Sequence, residues 1–211
     1  MVGNQQERRR TYDPVLRLLH WWNAAAIIAL LATAWGSELF EHGAGERLVW
    51  ELHVYTGYGL IVGLIARLTW GLVGPRHARF TDMWHPRTWR DLLGRFKLPA
   101  GHRWGHDPIA SAVYLALYGM LAVMAMTGLA LAATELSAGP LAGSLLDQVW
   151  LAKLFKEPHE FLANFIAAFI VVHLGALWVH QRFGGIPVAQ SMWTGVQVRA
   201  KHADGSEGAN A

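Results

Sequence analysis

The amino-acid sequence predicts an all-α integral membrane protein: a four-helix transmembrane bundle with a cytoplasmic amphipathic loop between helices 2 and 3. Three observations predict it. Hydrophobic residues make up 53% of the 211 and charged residues only 16%, against roughly 25% charged in a soluble domain. Four stretches reach the ~20 mostly apolar residues that a bilayer crossing needs. The chain also holds 11 tryptophans, a residue that membrane proteins concentrate at their two interfaces.

The four spans fall at about 14–35, 52–73, 108–133 and 158–181, and the third carries no charge at all. Pro14, Pro108 and Pro158 stand where a first-turn proline is tolerated. No small-residue cleavage site follows the first span, which therefore reads as a retained helix and not a signal peptide. No internal repeat is evident. Residues 1–200 read as one transmembrane domain and 201–211 as a disordered tail. The absence of cysteine excludes thiolate-held clusters, covalent c-type haem and disulfides.

Loop charge orients the bundle. Glu38, Glu41, Glu46 and Glu51 surround a single Arg47 between spans one and two. Between spans two and three stand Arg76, Arg79, Arg87, Arg90, Arg95, Lys97 and Arg103 against Asp82 and Asp91. The N-terminal tail carries Arg8, Arg9 and Arg10, and Arg182, Arg199 and Lys201 follow the last span. The positive-inside rule then places both termini and the long loop of this multi-pass protein in the cytoplasm. The net charge of +3 is thus a topology signal, and no nucleic-acid partner is implied. Trp84, Trp89, Leu92, Leu93 and Phe96 recur at roughly helical spacing among the loop arginines, which predicts a segment lying on the membrane lipid.

Ionisable groups inside a span are costly and default to functional readings. His20, His53, His159 and His173 are such groups. His159 and His173 are 14 residues apart, nearly four helical turns, so they share a face about 21 Å apart along the axis. His53 enters span two from the outer side, as His159 enters span four. His20 lies about two turns into span one from the inner side, at the depth of His173. The histidines therefore pair by depth, His53 with His159 outside and His20 with His173 inside. Two imidazoles per pair is the axial ligation of low-spin electron-transfer haem. Four unrelated core histidines would not fall into two matched depths. A zinc site needs three or four ligands around one ion, which two separated pairs cannot supply.

Several neighbours fit that reading. Gly57, one turn after His53, leaves room for a flat macrocycle, although Gly57, Gly59 and Gly63 equally suit helix packing. Arg67, 14 residues after His53, faces the same way at the inner depth. Arg17 precedes His20 by one turn. Either guanidinium matches a haem propionate, and either can instead snorkel to the interface.

These residues also resemble a known family. His159-Glu-Phe-Leu-Ala-Asn with His173 and His180 looks like the last helix of bacterial cytochromes b561. Leu19-His20-Trp21, the run from His53 to Gly57, and Arg67 with Trp70 and Gly71 look like its first two helices. Gly105-His106-Asp107-Pro108 resembles the turn opening the third helix in the branch that contains the cytochrome b subunit of nickel–iron hydrogenases. The b subunit of formate dehydrogenase is more distantly similar. The resemblance covers roughly Thr11 to Thr194.

It implies two haem b groups on His20, His53, His159 and His173, quinone as substrate, a place in the bacterial inner membrane, and electron transfer between a periplasmic redox protein and the quinone pool. That partner would be a c-type cytochrome or a hydrogenase-like catalytic subunit; a homodimer is a further expectation. An electron-transfer subunit with no catalytic residues of its own is thus expected ahead of a stand-alone enzyme. The alternatives are a superoxide-oxidising quinone reductase, which would want a cationic outer surface where this chain is acidic, and a haem-free anchor or transporter. Quinone is expected near the inner haem, with His106, Asp107, Arg67 and His180 as candidates, because its reduction takes up protons and histidine titrates nearest neutrality.

Overall fold

The computed structural model describes residues 6–40, 43–95, 107–145, 149–183 and 189–200. In chain order these form β1 (Gln6–Arg10), α1 (Pro14–Gly36), α2 (Ala44–Val73), α3 (Phe80–Met83), α4 (Pro86–Arg95), α5 (Pro108–Leu136), α6 (Ala142–Leu145), α7 (Val149–Phe183), α8 (Ser191–Thr194) and β2 (Val196–Ala200). Helices α1, α2, α5 and α7 are long and apolar enough to cross a membrane. This is a multi-pass, four-span architecture.

The helix starts follow from local chemistry. Asp13 caps α1 by accepting the Leu16 N–H at 3.0 Å, with Pro14 in the first turn. Asp107 does the same for α5, accepting from Ile109 at 2.8 Å and Ala110 at 3.3 Å beside Pro108. A carboxylate there satisfies N–H groups that the helix cannot.

Two helices begin earlier than hydropathy predicts. α2 starts at Ala44 and α7 at Val149, so Pro158 lies inside α7 and not in its first turn. The added turns carry Glu46, Arg47 and Glu51 in α2, and Lys153, Lys156 and Glu157 in α7. Charged side chains end an apolar window without ending a helix. Pro158 removes one N–H from the ladder, at an exposed position among these polar turns where water can satisfy the freed carbonyl.

Packing makes two antiparallel hairpins: α1 lies on α2 and α5 on α7, and α2 with α5 joins them. Gly63 sets the first hairpin, because a Cβ there would collide with Trp22 and Asn23 of α1. Trp22 Nε1 also donates to the Gly59 carbonyl at 2.9 Å. Gly59 and Gly63 are therefore helix-packing residues. A core of Leu60, Leu64, Leu121 and Ile166 ties the hairpins together.

The strands are a feature that hydropathy did not predict. β1 pairs antiparallel with β2, Arg8 opposite Val198 and Arg10 opposite Val196. Thr11 and Tyr12 continue the contact by donating to the Gly195 carbonyl at 2.9 and 3.1 Å. Arg17 donates to the Trp193 carbonyl and Trp21 Nε1 to the Met192 carbonyl. The two ends of the described chain are thereby fastened to one end of the bundle. In the long loop, Phe80 packs against Gly71, Met83 is fully buried, and Trp89 Nε1 donates to the Pro108 carbonyl at 2.7 Å. Phe96 and the tail after residue 200 lie outside the described residues.

Candidate functional site

His20 projects from α1, His53 from α2, and His159 and His173 from α7, all half-buried. His20 lies within electrostatic range of His173, and His53 within range of His159. Each pair spans two helices that are not immediate packing neighbours. The pair remote from the chain ends, His53 with His159, is termed outer below, and His20 with His173 inner.

The outer pair has a fixed orientation. His53 Nδ1 lies 3.0 Å from Thr33 Oγ1 of α1, and His159 Nδ1 lies 2.8 Å from Thr127 Oγ1 of α5. Trp50 packs edge-on against His53 with ring centroids 5.5 Å apart. In the inner pair, His20 meets Trp21 edge-on at 5.3 Å, and His173 stacks on Phe169 at 5.9 Å.

Arg67 is the most unusual group in the bundle, a guanidinium only 3% exposed. Its Nε donates to Tyr118 Oη at 3.1 Å, and its charge lies over the Phe80 and Tyr118 rings at 4.9 and 5.4 Å. Nη1 has no partner, and no carboxylate among the described residues pairs with the group. A buried cation without an anion is costly, so this geometry favours an anionic ligand such as a propionate. Gly57 lies where an added Cβ would meet nothing within 4 Å, unlike Gly63. The paired histidines, the open space at Gly57 and the orphaned Arg67 Nη1 all fit haem b. Among the described residues no cluster of three or more His, Cys, Asp or Glu could hold a free metal ion.

The other predicted residues divide. Arg17 is tied to the Trp193 carbonyl, with its Nε unpartnered. His180 is exposed near the end of α7. Asp107 serves as the α5 cap, and His106 lies outside the described residues. Thr33, Thr127 and Tyr118 escaped the sequence reading. The available signal was a hydroxyl at histidine depth, since Thr33 is 13 residues beyond His20, about 20 Å up the same helix.

Four membrane-spanning helices, three of which carry half-buried histidines, are the setting of a membrane cytochrome of the b type. Residues 11–195 match the family model described as prokaryotic cytochrome b561, and the chain belongs to that family. It is accordingly a transmembrane electron-transfer protein that uses haem b. Among curated relatives it is 28% identical over 204 residues to a probable Ni/Fe-hydrogenase B-type cytochrome subunit of Azotobacter chroococcum mcd 1, covering 82% of each chain. The protein of the same description from Azotobacter vinelandii gives the same identity and coverage. That from Rhodobacter capsulatus is 27% identical over 202 residues, covering 80% of this chain and 75% of the relative. No solved structure matches.

Proposed function

We propose that this protein is a di-haem cytochrome that carries electrons across the bacterial inner membrane between a periplasmic redox partner and the quinone pool. The observation that supports the reading is that His20 lies within electrostatic range of His173, and His53 of His159. The pairs are about 21 Å apart along the helices, which spans most of a ~30 Å hydrocarbon core. Haem b supplies reversible one-electron chemistry when bound. The chain's own residues hold it, orient it and keep water away. His20, His53, His159 and His173 would ligate the irons, Gly57 would admit the outer macrocycle, and Arg67 would neutralise an inner propionate. Arg17 is a weaker candidate for that role because one nitrogen already serves the Trp193 carbonyl.

The partner is proposed from two supports. The relatives are named as hydrogenase cytochrome subunits, and the outer turns carry exposed Glu38 and Glu51. A hydrogenase-like catalytic subunit docking there would deliver electrons to the outer haem. The same acidity disfavours superoxide as substrate, because it repels an anion.

Quinone would bind at the inner end. An apolar groove of about 190 Å³ between α2 and α5 is lined by Leu64, Leu68, Ala122 and Tyr118. Tyr118 Oη accepts from Arg67, and its own proton has no acceptor among the described residues. A proton donor beside an apolar groove suits a quinone headgroup. His180 lies farther towards the chain ends and remains a relay candidate.

The experiment that tests the di-haem reading is haem quantification in His20→Ala, His53→Ala, His159→Ala and His173→Ala. Each variant should lose six-coordinate, low-spin ligation at one haem. Any variant that keeps both haems in that state removes its histidine from the ligand set.

A further inference from the structure

We propose that Thr33 and Thr127 are positioning residues for the outer haem: each hydroxyl oxygen accepts the Nδ1–H of one axial histidine, His53 or His159, and so fixes its tautomer and ring rotation. This rests on the di-haem reading above and adds a difference between the two haems.

The two contacts stand on different hairpins yet repeat one construction. Thr33 of α1 reaches across to α2, and Thr127 of α5 reaches across to α7. Both hydroxyls lie 2.9 Å from the carbonyl four residues back, Ala29 and Val123. The carbonyl three residues back, Leu30 or Met124, is at 3.0 or 3.1 Å. A hydroxyl has one proton. It goes to its own turn, which leaves the oxygen to accept from the imidazole. Nδ1 is therefore protonated in both rings, and the Nε2 lone pair is free for iron.

Gly128 completes the seat of His159. A Cβ at that position would come within 3.2 Å of His159 Cε1, so a side chain there would press on the ring beside Thr127. The inner pair has no equivalent. Among the described residues neither His20 nor His173 makes a hydrogen bond, and both rest on aromatic rings. An N–H that donates makes its imidazole a stronger base towards the metal. Stronger donation favours ferric iron. The hydroxyls therefore hold the outer haem at a lower potential than the same ligands would give without them.

The test uses purified holoprotein with Thr33→Val and Thr127→Val, which keep side-chain shape and remove the hydroxyl, and Thr33→Ser and Thr127→Ser, which keep the hydroxyl. Both midpoint potentials are titrated, and the low-spin ferric signals are recorded by electron paramagnetic resonance. Both valine variants should raise the same one of the two potentials and alter the same ferric signal. The expected size is up to about tenfold in the ferric/ferrous equilibrium, about 59 mV for a one-electron couple. Serine should restore the wild-type values. If a valine variant loses the outer haem outright, its retention in the serine variant still supports the hydroxyl. Unchanged potentials and signals in both valine variants, or serine variants that behave like valine, overturn the proposal. Wild-type protein with two bis-histidine haems and silent threonine variants would defeat this inference alone. Wild-type protein without those haems would defeat the reading beneath it.

Discussion

A histidine ring offers iron one nitrogen and must do something with the other. At His53 and His159 one ring nitrogen meets a threonine oxygen at 3.0 and 2.8 Å, so the protein itself sets the ring orientation. The histidines themselves were legible in the sequence, because a 14-residue spacing and a matched depth need only helical geometry. The threonines were not. An intramembrane hydroxyl ordinarily satisfies itself on its own helix, and nothing in the one-dimensional pattern says that the oxygen has a second visitor from the neighbouring helix. Arg67 was visible as an intramembrane charge, but its partner Tyr118 is 51 residues away and appears only once α2 meets α5. The prediction at this scale concerns Tyr118→Phe, which removes a hydroxyl and keeps the ring over Arg67. Haem content should be unchanged, and oxidation of the reduced protein by a quinone analogue should slow by about 10²-fold or more, the usual contribution of a positioned proton donor. Stopped-flow kinetics at wild-type rate would remove Tyr118 from the quinone site and leave His180 as the candidate there.

The helices show where hydropathy succeeds and where it stops. It located all four spans, and the Pro14 and Pro108 starts agree with the Asp13 and Asp107 caps. It placed the starts of α2 and α7 too late, because a window of apolar residues measures bilayer thickness and is blind to helical turns in water. It also missed β1 and β2. Their pairing joins residue 6 to residue 200, and a five-residue strand rich in arginine has no local pattern to reveal so distant a partner. The glycines of α2 were ambiguous in sequence, and the structure separates them. Gly63 is wedged against Trp22 and Asn23, whereas Gly57 faces open space. Gly63→Leu should therefore destabilise the protein by about 1–3 kcal/mol through overpacking, read as a lower thermal midpoint. Gly57→Leu should leave helical content intact and diminish haem binding. Equal effects of the two substitutions on haem and on thermal stability would mean that Gly57 is a packing residue as well.

At the scale of the whole molecule, four crossings return the chain to the side on which it began, and the β1–β2 ribbon holds its two ends together there. The arginine-rich loop of α3 and α4 lies at that same end, between α2 and α5. The positive-inside rule then predicts that this end is cytoplasmic. Reporter fusions at Gly43 and Gly94 should report opposite sides of the membrane, with position 43 periplasmic. The reverse result would exchange the inner and outer haems, and with them the proposed entry and exit of electrons.

Two haems on two depth-matched histidine pairs is the claim from which the rest follows. It is tested most directly by measuring haem against protein in the purified wild-type cytochrome, by pyridine haemochrome together with the low-temperature spin state of the ferric iron. Two haem b per chain, both low-spin with bis-histidine signals, is the predicted result. One haem per chain, or a high-spin five-coordinate centre in the intact protein, would contradict it.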